Sequence, residues 1–154
     1  MTTLRKLTLL AAGPGLLALA ALAHHTDAKP TVDGAWVRQP VPGRDMSAAY
    51  MTIENPDHEP DFLVGASCDC AGRVELHVMR MDGDVMKMEQ VERLEVPAKG
   101  RLALAPGGAH LMLFDLQGEL AAGATATLRL RFEAAGEVEV KATVRPPKDS
   151  AHER

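Results

Sequence analysis

Four methionines and one histidine fall within seventeen positions, VELHVMRMDGDVMKMEQ, running from Val74 to Gln90. The whole chain has eight methionines, the initiator included, so half of them sit around one tight turn. Flexible thioethers specify a core poorly, and a core rarely needs so many side by side. A second piece lies downstream in PGGAHLMLFDL, where His110 and Met112 are two residues apart and would share a strand face. Brought together, the two pieces offer two imidazoles and two thioethers to one centre. Thioether sulfur is soft and neutral, so such a set suits Cu(I) far better than Mg²⁺ or Ca²⁺. Structural zinc sites lean on cysteine thiolates, which this set lacks. Four neutral donors leave the complex at +1 with no thiolate to lock it. That is chemistry for holding Cu(I) and releasing it to a better-liganded partner. Taken singly, a methionine here is more often core filling than a ligand, and a lone strand histidine is more often structural or exposed.

The elements that must position them read as strands. Asp82-Gly83 is a strong two-residue hairpin signal. With those two residues as the turn, Met81 pairs with Asp84, Met79 with Met86 and His77 with Met88. Period-2 alternation puts His77, Met79 and Met81 on one face. Further strands are expected at Val32–Arg38, Ala48–Asn55, Phe62–Ala66, Arg73–Met81, Val85–Val96, Arg101–Leu104, His110–Leu116, Thr125–Glu133 and Glu137–Val144. In the last pair Ala126, Leu128, Leu130 and Phe132 face inward, as do Val138, Val140, Ala142 and Val144. Arg129 and Arg131 can then meet Glu137 and Glu139 across the outer face. Short strands with turn signals at this spacing predict an all-β, antiparallel sandwich or barrel with Greek-key links.

At 154 residues the chain is long enough for one domain with a real core. Aromatics are only 3% of it and the formal charge is −4, with no basic run longer than a pair. A base-stacking or phosphate-tracking protein is excluded on those grounds. The start reads as a secretory signal: Arg5 and Lys6, an apolar stretch from Leu7 to Ala20, then small-x-small sites ending at Ala20 and Ala23. Cleavage after Ala23 removes two positive charges and no negative ones, leaving −6. We expect a signal over 1–23, a flexible arm over 24–31, a β domain over 32–145 and a disordered tail over 146–154. The protein is then exported to the periplasm or another extracytoplasmic space, and membrane-tethered if the signal stays. No cysteine follows either cleavage site, so the sequence gives no lipoprotein signal.

His77, ten residues, Met88, twenty-one residues, then His110-x-Met112 matches the H-x10-M-x21-H-x-M pattern of the PCu(A)C family of periplasmic copper chaperones, which this chain resembles. The likeness extends to GAWVRQPVPGRDMSAAYMTIEN, VPAKG and LAPGGAHLMLFDL, and covers about residues 32–144. The resemblance implies a cupredoxin-like Greek-key β-barrel that binds one Cu(I) per chain through His77, Met88, His110 and Met112. It also implies delivery to the Cu(A) centre of cytochrome c oxidase, with the oxidase Cu(A) subunit and a Sco-type copper/thiol protein as partners. Met79, Met81 and Met86 fall outside the four-residue motif, as spare sulfurs on a transfer path or as packing. We expect a monomer.

Cys68-Asp69-Cys70 is not part of that pattern. It reads either as a redox-active or copper-relaying pair or as an incidental loop pair. His24 and His25 would open the mature chain and could bind Cu(II), or be an export remnant. Three other functions compete with a chaperone that has no catalytic turnover. A blue-copper carrier needs a cysteine thiolate near its histidines, and none lies near His110. A thiol-disulfide reductase would act through Cys68 and Cys70. An envelope copper buffer would use the same donors as a chaperone. No Gly-x-Ser-x-Gly or other arrangement for nucleophilic or acid–base catalysis is present.

Overall fold

A computed structural model describes residues 28–147. The signal expected over 1–23, His24, His25 and most of the tail lie outside the described residues.

Ten strands follow one another along the chain: β1 (Thr31–Arg38), β2 (Met46–Glu54), β3 (Asp61–Cys68), β4 (Ala71–Asp82), β5 (Val85–Val91), β6 (Leu94–Val96), β7 (Arg101–Leu104), β8 (His110–Leu116), β9 (Thr125–Phe132) and β10 (Gly136–Arg145). No described residue is helical, as the all-β expectation requires. The expected strand Val85–Val96 is two strands, broken at Glu92 and Arg93. The break lets β5 stay with β4 while β6 crosses to pair with β3.

Sheet order is β5-β4-β8-β2-β1-β10-β9-β3-β6, with β7 also on β2. Only three of these neighbouring pairs, β4–β5, β1–β2 and β9–β10, are consecutive in the chain. The others are long-range crossovers, and β1 runs parallel to β10. Both arms of the sheet bury side chains in one core: Ala49 and Ile53 of β2, Leu76 of β4, Leu111 and Leu113 of β8, Leu128 and Leu130 of β9, Ala142 and Val144 of β10. A flat sheet could not make that shared interior, so the sheet wraps on itself, as right-handed twist favours. In β9 the expected alternation holds: Ala126, Leu128, Leu130 and Phe132 are buried. On the outer face Arg129 meets Glu139 at 3.8 Å. Arg131 stands opposite Glu137, and its guanidinium lies over Gly65, where a Cβ would meet it at 2.8 Å.

Asp61 pins one end of the wrap. Its carboxylate is buried and accepts hydrogen bonds from the backbone N–H groups of Phe62, Ala134 and Ala135 at 2.7, 2.9 and 3.0 Å. The start of β3 is thereby tied to the turn between β9 and β10.

Candidate metal centre

Three adjacent strands, β5, β4 and β8, carry the chemistry on one face. The β4–β5 hairpin turns at Gly83-Asp84, so its register differs from the sequence expectation. Met81 pairs with Met86, Met79 with Met88, and His77 with Gln90. Gly83 has φ of 63°, whereas Asp82 and Asp84 are not among the positive-φ residues. A glycine alone at positive φ in the first central position is the mark of a II′-type turn, and that moves the turn one residue downstream. His77 and Met88 are therefore diagonal neighbours rather than a direct pair. What faces His77 directly is His110 of β8. Their ring centroids lie 5.9 Å apart.

The tautomer of each neutral imidazole follows from its partners. His110 Nδ1 sits 3.0 Å from the Gly108 carbonyl, which can only accept, so the neutral ring carries its proton on Nδ1. Nε2 is then bare, and it lies 3.2 Å from the Met88 sulfur. Two lone pairs face each other with no proton between them, an arrangement a soft cation would relieve. His77 repeats the logic with the nitrogens exchanged. Its Nε2 lies 2.8 Å from a Glu75 carboxylate oxygen and donates to it, while Nδ1 is left bare. That Nδ1 is buried and has no hydrogen-bond partner. An unpartnered buried nitrogen costs stability and calls for an explanation. A metal ion supplies one, and an outer carboxylate or carbonyl on the second nitrogen is the usual accompaniment of a metal-binding histidine. The residues thus fit a Cu(I) ion carried as cargo.

Met112, on β8, stands opposite Glu75 and Ala48 and is half-buried. It lines an open cleft of about 460 Å³ together with Met79, Met88, His110 and Tyr50. All four residues singled out by the motif therefore lie on this one face. Met79, outside the motif, lines the cleft as well, because it pairs directly with Met88. Glu75 was not foreseen, although its place two residues before His77 on a strand puts the two side chains on one face. Arg73 holds the other Glu75 oxygen at 3.2 Å and stacks its guanidinium over Phe114 at 4.6 Å.

A row of rings backs the centre across the sheet. Tyr50 lies 6.3 Å from His110, and Trp36 lies 4.6 Å from Tyr50. Burial pushes the Tyr50 phenol above its ordinary pKa, with the nearby Arg38 guanidinium pulling the other way.

Cys68 and Cys70 are joined in a disulfide, and both are buried. They sit at the β3–β4 turn, and Ala71, where β4 starts, is six residues before His77, roughly 20 Å along the strand. Oxidised, they offer no thiolate to a metal, and they lie away from the imidazole pair.

Comparison with known proteins points the same way. The family model described as "Putative lipoprotein LpqE-like" matches residues 30–144. "Putative lipoprotein Lxx21020" of Leifsonia xyli subsp. xyli is 34% identical over 102 residues, 66% of this chain. The match spans only 60% of that relative's length. Among solved structures, the copper-bound PCuAC domain from PmoF2 superposes with a TM-score of 0.68 at 29% identity, covering 78% of this chain and 95% of that domain. The solution structure of Cu(I)-bound DR1885 from Deinococcus radiodurans gives a TM-score of 0.61 at 35% identity, covering 73% of this chain and 75% of that one.

Proposed function

Because the chain belongs to the LpqE-like family and has the cupredoxin-like β fold of PCuAC domains, we propose that it is an exported Cu(I) carrier. It holds one Cu(I) through His77, Met88, His110 and Met112 and hands the ion on. The observation that carries this reading is the pair of bare imidazole nitrogens. One is buried and unpartnered on His77; the other lies against the Met88 sulfur. His77 would bind through Nδ1 and His110 through Nε2, each oriented by the acceptor on its second nitrogen. The donors are neutral and soft, which favours Cu(I) over hard cations and over Cu(II). Met88 is 49% exposed, so the ion would be held where an acceptor can reach it. Release needs no redox step: an incoming thiolate or imidazole displaces a thioether, and copper stays Cu(I).

The client that fits the family resemblance is the Cu(A) subunit of cytochrome c oxidase, with a Sco-type thiol protein in the same assembly. The chaperone performs no turnover of its own. Its place is outside the cytoplasmic membrane, in keeping with the lipoprotein description of its relatives. X-ray absorption of the Cu(I)-loaded chain tests the donor set: two nitrogens and two sulfurs are expected, and a shell of oxygens or of sulfur alone overturns it. Oxidase activity in a deletion strain at limiting copper tests the client. A fall restored by added copper supports delivery; normal activity with copper sensitivity indicates a buffer.

A further inference from the structure

Met81 and Met86 are unused by the four-residue centre, and both are largely exposed. They are 62% and 53% exposed, and every residue of β5 from Val85 to Gln90 is solvent-facing. They form a direct cross-strand pair one rung beyond Met79 and Met88. Opposite Cβ atoms in such a pair lie about 5 Å apart, and successive rungs on one face about 7 Å. One face of the hairpin is therefore a two-rung ladder of thioethers. Its inner rung touches the His110 nitrogen through Met88, and exposure rises toward the turn from half-buried Met79 to Met81.

The reverse face of the same hairpin differs. Arg80 pairs with Glu89 at 3.0 Å, and Lys87 pairs with Asp82. These diagonal ion pairs favour the observed register and hold the Arg80 and Lys87 cations on the reverse face. A solvated hairpin tip needs polar or β-branched residues; the exposed thioethers of Met81 and Met86 there serve neither propensity nor burial.

Resting on the reading of the inner centre as a Cu(I) site, we propose that Met81 and Met86 form an outer, weaker Cu(I) contact through which the ion enters and leaves. Two thioethers suffice for transient capture of a soft monovalent ion, and imidazole nitrogens bind it more firmly further in. Each step is a ligand exchange: a Cu–S bond to Met81 or Met86 breaks as a Cu–S bond to Met88 or a Cu–N bond to an imidazole forms, the ion stays +1, and no electron or proton moves. Met88 belongs to both stages, since it stands one rung from Met86 and against His110.

The test uses the protein labelled with ¹³C at its methionine methyls and titrated with Ag(I), a redox-inert stand-in for Cu(I). The Met88 and Met112 methyls shift first and saturate at one equivalent, and the Met81 and Met86 methyls shift between one and two equivalents. In parallel, a Met81→Leu/Met86→Leu protein retains one tightly bound Cu(I) but gives it to a chromogenic chelator several-fold more slowly. Unmoved Met81 and Met86 methyls, or an unchanged transfer rate, overturn the outer contact while leaving the inner site standing. Silence at Met88 and Met112 as well would instead overturn the inner site.

Discussion

Glu75→Ala isolates the contact that decides which nitrogen of His77 is free. The carboxylate is the acceptor for His77 Nε2–H at 2.8 Å, and the pair is well shielded, with 12% of the His77 side chain and 17% of the Glu75 side chain exposed. Without it the ring loses its orientation and its preferred tautomer, and Nδ1 is no longer the obligatory lone pair. Removing such an outer partner typically weakens metal binding ten- to a hundredfold, or about 1.4–2.7 kcal/mol. The lost negative charge acts in the same direction. Glu75→Gln keeps a neutral acceptor and should sit near the lower end of that range. The assay is anaerobic competition for Cu(I) against a chromogenic chelator, with thermal unfolding as a control on the fold. Arg73, left without its ion partner, is 58% exposed, so its loss of pairing costs little stability. Wild-type affinity in the Ala variant, with the fold intact, would refute the argument that Glu75 sets the ligand nitrogen.

Tyr50 is the only tyrosine, so absorbance of tyrosinate reports it alone. Its midpoint should lie above the ordinary value of 10.0. The folded state then holds this proton more firmly than the unfolded chain. The associated stability is fully present below pH 10 and is lost as pH rises through the raised pKa. Tyr50→Phe should remove that part of the alkaline loss, measured as unfolding midpoints from pH 9 to 12. Asp61→Ala leaves the Ala134 and Ala135 N–H groups without their acceptor and should cost about 2 kcal/mol in denaturant unfolding, Asp61→Asn less. Cys68→Ser/Cys70→Ser should lower stability by about 1.5 kcal/mol for the lost three-residue ring alone. It should leave Cu(I) affinity unchanged; a large drop in affinity would bring the thiols back as ligands.

The sequence carries the donors more plainly than their arrangement. His110-x-Met112 needs only strand alternation to share a face, and β8 has the bounds that its residues indicate. The β9 and β10 strands are equally legible, because their apolar and charged residues alternate without interruption. The hairpin register is not, because Asp82-Gly83 and Gly83-Asp84 are both good turns and differ only in where the positive φ falls. Choosing the first sets His77 against Met88; the second sets it against Gln90. The His77–His110 contact depends on β4 lying beside β8, a crossover that local patterning does not encode. The split of Val85–Val96 has the same origin: β6 leaves β5 to pair with β3, with Asp61 opposite Val96, on the opposite arm of the sheet. Glu75 was readable by its spacing from His77, but only once His77 is known to need an acceptor.

The proposed Cu(I) site joins the methionine-crowded hairpin to the His110 strand. An anaerobic Cu(I) competition titration tests it, comparing the full chain with Met88→Leu/Met112→Leu. One tight Cu(I) per chain, lost or greatly weakened in the variant, is the predicted result. Equal Cu(I) binding by both proteins would contradict it and assign these methionines to packing.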